Sequence, residues 1–152
     1  TPEIYTLSLH DALPIFMAQA EKKAYFISEL EVKLAKGDGI WELEAPLAYW
    51  SPLVGRIQVP AGFQTDFASV PRVPIAYWLY GARAHREGVI HDYLFRKDCV
   101  GSCRIGFMDA NKVFLEAMEA RKKPFYVRWP MYAAVCAFSY PCFHKRKVFD
   151  KL

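Results

Sequence analysis

Residues 88–95 read Gly-Val-Ile-His-Asp-Tyr-Leu-Phe and set a histidine and an aspartate side by side in an apolar run. An imidazole titrates near about pH 6.5, so His91 is suited to take a proton from water at neutral pH. A carboxylate on its far nitrogen would hold the tautomer and stabilise the charged ring. A second acidic residue, Asp109, lies on the next predicted helix and could supply that carboxylate. On a helix, Ala84, Gly88, His91 and Phe95 share one face, and the two small residues let another element approach His91. His85, Val89, Asp92 and Arg96 form the neighbouring stripe. Adjacent helical side chains diverge by about 100°, so His91 can face Asp109 while Asp92 faces the preceding loop. That loop carries Asp66, Ser69 and Arg72. The expectation is one partly open pocket holding Asp66, His91, Asp92 and Asp109, with Ser69, Arg72 and Tyr93 in support. Carboxylates are costly to bury alone, so the pocket needs a cation, Arg72 or water.

The same residues have a structural alternative. His91 would bond to Asp109 across a helix pair without catalysing anything. Asp92 would pair with Arg96 one turn on, and Asp66 and Ser69 would cap turns.

The elements that must position these side chains follow from hydrophobic periodicity. Leu30, Val32 and Leu34 alternate with Glu29, Glu31 and Lys33, which is the period of a half-buried strand. Lys36-Gly37-Asp38-Gly39 is a turn. A second strand runs from Ile40 through Leu43 to the run Leu47-Ala48-Tyr49-Trp50, interrupted near Pro46. A third covers residues 56–60. Pro60, Pro71 and Pro74 keep the next connection irregular, and a short helical turn is expected at 75–80. Helices are then expected at 81–97, 107–121 and 126–140, with a loop at 98–106. Phe107, Ala110, Phe114, Ala117 and Met118 form the apolar stripe of the second helix. The third is apolar nearly all round, too short and too interrupted by Arg128 and Pro130 to span a bilayer, and so expected in the core. The fold class is α+β: a small N-terminal antiparallel β-sheet followed by a three-helix C-terminal half.

Composition narrows the function classes. The chain has 152 residues, 53% of them hydrophobic and 16% aromatic, which suits one domain with a real core. A net charge of +4 without a dense basic stripe gives no reason to expect nucleic acid binding. The basic cluster His144-Lys145-Arg146-Lys147 reads as a solvated tail. The N-terminus lacks the layout of a secretory signal, so Cys99, Cys103, Cys136 and Cys142 are expected as reduced thiols. Cys99-x3-Cys103 has no partner pair at zinc-ligand spacing.

Residues 5–15 match one reading frame of a common sequencing-library adapter. Residues 1–16 are therefore expected to be a non-native tail, with the natural start at Met17 and a single domain over 17–152. The His10-Asp11 pair falls in that tail and is not a second motif.

Val59-Pro60-Ala61-Gly62-Phe63, Thr65-Asp66-Phe67-Ala68-Ser69-Val70-Pro71-Arg72, His91-Asp92-Tyr93-Leu94 and Asp109 with Phe114 and Met118 together resemble the domain-of-unknown-function 1353 family. The resemblance covers roughly residues 41–138. That family is common in tailed bacteriophages and prophages and carries no settled activity. It implies an accessory protein in the cytoplasm of an infected or lysogenic bacterium, or one carried in the virion. A phage structural protein or a host factor would be its partner. A second resemblance concerns chemistry: His91-Asp92-x-x-Phe95 is similar to the His-Asp-x-x-Tyr core of secreted phospholipases A2. It implies His91 as general base, Asp109 as its orienting residue, Asp92 as a calcium ligand and phospholipid as substrate. Calcium prefers oxygen ligands and would polarise the ester carbonyl. Phe95 replaces the Tyr, and no calcium loop precedes the helix.

Overall fold

The computed structural model describes residues 23–35, 40–65, 84–97, 99–100 and 103–143. Three antiparallel strands form the first sheet in the order β1 (Tyr25–Phe26), β4 (Leu47–Ser51), β5 (Gly55–Val59). Strands β2 (Val32–Leu34), β3 (Trp41–Leu43) and β6 (Gln64–Thr65) form a second antiparallel sheet in that order. The helical half follows: α1 (His85–Arg96), a two-stranded ribbon of β7 (Cys99–Val100) and β8 (Cys103–Arg104), then α2 (Phe107–Ala120) and α3 (Phe125–Phe138). The expected α+β order is present.

Where one sheet was expected there are two. The interruption at Pro46 separates β3 from β4, and each joins different neighbours. Val32, which pairs with Leu43, sits in one sheet, and Leu47, which pairs with Val59, sits in the other. The β4–β5 hairpin turns through Pro52-Leu53-Val54. The Ser51 hydroxyl accepts from the Leu53 amide at 3.1 Å, and Gly55 adopts φ 82°, a left-handed conformation open to glycine. The expected loop at 98–106 contains the β7–β8 ribbon, too short to leave an alternation pattern.

Both sheets pack on one core. Leu43, Leu47, Tyr49, Ile57 and Val59 from the strands, with Phe63 just before β6, meet Val89, Ile90, Leu94 and Phe95 of α1 and Ala110, Val113 and Ala117 of α2. A second, smaller cluster joins α2 to α3 through Phe114, Met118, Val127, Met131 and Val135. Helix α1 is therefore covered on most sides, while α3 touches the body along one stripe.

Helix ends are set locally. At the start of α2 the Asp109 carboxylate accepts the Gly106 amide at 3.3 Å, half of a capping box. At its end the Lys123 amide reaches the Met118 carbonyl at 3.0 Å and the Lys122 amide the Glu119 carbonyl at 2.8 Å. Those two bonds are a Schellman motif, and they place Lys122 at φ 55°.

The third helix departs from expectation. Only Val127, Met131 and Val135 are buried along it. Phe125, Tyr126, Trp129 and Phe138 are each more than half exposed. The core is already closed by α2, so α3 has one surface to bury against. Among the described residues no helix is long and apolar enough to cross a membrane.

Candidate functional site

Helices α1 and α2 run antiparallel, as a short connection requires. Phe95 faces Phe107 with ring centroids 5.9 Å apart, His91 faces Asn111, and Glu87 faces Lys123 beyond the far end of α2. Numbers that fall along α1 rise along α2. The small Gly88 sits fully buried one turn before His91 on the same face.

His91 is fully buried. Its Nε2 lies 2.8 Å from Asn111 Oδ1, and because an amide oxygen only accepts, Nε2 is the donor. Nδ1 has no hydrogen-bond partner, and neither does Asn111 Nδ2. The ring packs between Phe95, at 4.0 Å between centroids, and Phe114, at 5.0 Å. Burial pushes its pKa from the ordinary 6.5 down to about 4, with the Asn111 hydrogen bond pulling the other way. Flanked by two phenyl rings, His91 presents no surface to solvent.

The orienting partner expected at Asp109 is thus Asn111. Asp109 sits two residues earlier, about 200° around the helix, and is exposed. Its carboxylate closes the first turn of α2 instead. The physical reason is helical phase: Asn111 falls on the stripe with Ala110, Phe114 and Met118, all buried against the rest of the protein. Asn111 was legible as the one polar residue in that stripe. An amide holds a neutral ring without bringing a charge into the core.

Asp92 turns away from His91, as the helical angle demands. Its Oδ2 accepts from Thr65 Oγ1 at 2.5 Å, tying α1 to the last residue of β6. Both side chains are about 1% exposed. Arg96, one turn on, donates to the Gln64 carbonyl at 2.7 Å and lies over the Phe63 ring at 4.9 Å. Tyr93 packs its edge on Phe63 at 5.6 Å. Asp66, Ser69 and Arg72 lie outside the described residues. Of the residues expected to share one partly open pocket, His91 and Asp92 are buried and bond to different elements, His91 to Asn111 of α2 and Asp92 to Thr65 of β6, while Asp109 is exposed. No group of three His, Cys, Asp or Glu side chains that could hold a metal occurs among them.

A second polar cluster went unread in the sequence. Tyr49 of β4 is fully buried and donates its hydroxyl to Glu116 of α2 at 2.9 Å. Burial, and then the Glu116 charge, push the Tyr49 hydroxyl well above its usual range. Glu87 of α1 is 1% exposed, with Oε1 at 3.8 Å from the Lys123 ammonium. Burial pushes the carboxyls of Glu87 and Glu116 upward. No local pattern announces this cluster, because its members come from three elements and the turn after α2. A surface pocket of about 380 Å³ lies elsewhere, bounded by Lys33, Leu34, Ala35, Ile40, Glu42 and Gln64 of the second sheet.

Compared with known proteins, residues 41–135 match the model of the family described as "Protein of unknown function (DUF1353)". The matched span contains both motifs and both helices of the His91 pair. No curated protein and no solved structure matches the chain.

Proposed function

The chain belongs to the DUF1353 family of proteins of unknown function, and on that premise we propose that it is an accessory or assembly protein of a tailed phage or prophage that works by binding. The observation that carries this is the state of His91: fully buried, neutral, and hydrogen-bonded to Asn111 rather than to a carboxylate. A general base must reach a proton on its substrate, directly or through one water. His91 meets phenyl rings instead. Its pair with Asn111 acts as a polar key that sets the register of α1 on α2, and Asp92 with Thr65 does the same for α1 on the second sheet.

The rival reading keeps His91 as general base, Asp109 as its orienting residue and Asp92 on calcium, acting on phospholipid. One experiment separates the two. The full chain is incubated with phospholipid vesicles, with and without calcium, and fatty acid release is followed for the unaltered protein, His91→Gln and Asp109→Asn. The binding reading expects no calcium-stimulated release from any of them. Release that both substitutions abolish, with melting temperatures unchanged, overturns it. Mass spectrometry of purified virions then separates a structural component of the particle from a protein that acts in the infected cell.

A further inference from the structure

The second sheet has an unpaired edge. Strand β2 ends the order β2-β3-β6, and its Val32, Lys33 and Leu34 pair with Leu43, Glu42 and Trp41. One step beyond that register, the Glu44 amide donates to the Glu31 carbonyl at 2.9 Å. At the other end the Ala35 amide donates to the Ile40 carbonyl at 2.8 Å. Glu31, Lys33 and Ala35 therefore turn their backbone groups toward β3. The N–H and C=O groups of Val32 and Leu34 point the other way, where no described strand lies. Leu34 is 56% exposed, so solvent reaches this edge. Such a row of backbone donors and acceptors is a template for one more strand.

The outer face beside the edge has a pattern of its own. Side chains alternate across a sheet, so Val32 and Leu43 face the core while their neighbours in each strand face outward. Three rows cross that outer face. In the first, Glu31 stands opposite Glu44; both are exposed, and neither is ion-paired among the described residues. In the second, Lys33 lies 3.3 Å from Glu42, which also accepts from Gln64 at 3.3 Å. In the third, Ala35 and Ile40 help to bound the pocket of about 380 Å³. The first and third rows are about 14 Å apart, at 3.4 Å per residue.

Charge selects the occupant. Like charges directly opposite each other destabilise a strand pair, so Glu31 and Glu44 call for a cation. Glu31, Glu42 and Glu44 outnumber Lys33, which makes the face net negative. It repels an anionic membrane or a nucleic acid. A second copy brings the same negative face and pairs only along the short β2, far below the area of a stable dimer. A basic extended segment answers all three rows at once.

We propose that the free edge of β2 takes up an extended basic segment of a partner protein as an added strand, with an apolar side chain in the pocket beside Ala35 and Ile40 and an arginine or lysine beside Glu31. The inference deepens the binding reading by naming its surface. Vesicle hydrolysis tests that reading without involving this edge, so the two can fail separately.

The probe is an amidated peptide of sequence Leu-Thr-Gln-Thr-Arg with fluorescein at its N-terminus. Antiparallel to β2, it sets Leu by Ala35, Gln by Lys33 and Arg by Glu31, and its two Thr amides reach the outward groups of Leu34 and Val32. Anisotropy is followed as the full chain is added. The expected result is saturable binding that salt weakens and that N-methylation of the two Thr amides abolishes. Replacing the peptide's Leu with Ser should lower affinity about tenfold. Glu31→Lys with Glu44→Lys should reverse the preference, so that the peptide ending in Glu binds about fivefold better than the one ending in Arg. Both positions are exposed, so the far-ultraviolet circular dichroism of the variant should match that of the parent. The proposal is overturned by no saturable binding at millimolar peptide, or by binding that N-methylation or the charge exchange leaves unchanged. It is equally overturned by sedimentation showing a dimer that Glu31→Lys dissociates, which would make the edge a self-interface.

Discussion

Helices α1 and α3 reverse the burial that their compositions suggest. Helix α1 carries Glu87, His91 and Asp92, and all three are buried. Helix α3 carries Phe125, Tyr126, Trp129 and Phe138, and all four face outward. The reason is position. Helix α1 is covered by the strands and by α2, so whatever it carries must go inside, and its polar side chains are held by hydrogen bonds to Asn111 and Thr65 and by an ion pair with Lys123. Helix α3 is the outer layer, so a single stripe meets its need for burial. The lesson is that layer order, more than hydropathy, decides what is buried here. Polar groups forced inside find partners, and apolar groups left outside point to a surface not yet paired.

Truncating one aromatic in each helix region should separate the buried face from the exposed one most strongly. Phe114→Ala should cost about 3–5 kcal/mol, because the ring is fully buried between His91 and the α3 contact. Trp129→Ala should change stability by less than about 0.5 kcal/mol. Urea unfolding of both variants checks this, and similar losses would mean that α3's outer face is packed after all.

Acid tests the buried side next. Unfolded, His91 takes a proton near about pH 6.5, whereas folded it does so only at about 4. Between those values the unfolded chain binds a proton that the folded chain refuses. Stability is therefore complete above the upper value and falls as pH drops toward the lower one, by at most about 3 kcal/mol. The raised carboxyls of Glu87 and Glu116 act in the opposite sense, favouring the folded state as pH falls. Urea midpoints measured from neutral pH down to about 4.5 should fall in the unaltered protein and flatten in His91→Leu. Equal slopes would show that His91 is not held neutral.

A smaller effect is expected at the His91–Asn111 pair itself. Asn111→Leu strands the His91 Nε2 donor and should cost about 1–3 kcal/mol. Combining it with His91→Leu should cost less than the two separate losses added, since no polar atom is then left alone. Additive losses would remove the coupling inferred from the 2.8 Å contact. The smallest effect is a gain: Lys122, held at φ 55°, becomes more favourable as glycine. Lys122→Gly should raise stability by about 0.5–1 kcal/mol, seen as a melting temperature a few degrees higher. A loss instead would mean that the Lys122 side chain contributes more than its backbone conformation costs.

The sequence by itself determined the α+β order, the helical spans of α1 and α2, the interruption near Pro46, and the family through its motifs around Thr65-Asp66 and His91-Asp92. These are short-range properties, set by side-chain spacing along the chain and by which residues tolerate a turn. The divergence of His91 from Asp92 was also legible, because it follows from the angle per residue. The partner of His91 was legible too, since Asn111 falls on the buried stripe of α2 and Asp109 does not; the suitability of a carboxylate for an orienting role is what pointed to Asp109 instead. The splitting of the strands into two sheets, the meeting of Tyr49 with Glu116 across 67 residues, and the outward turn of an apolar α3 were decided in three dimensions. Each depends on which surfaces are already covered when an element docks, and that is a property of the assembled layers that no stretch of the chain carries alone.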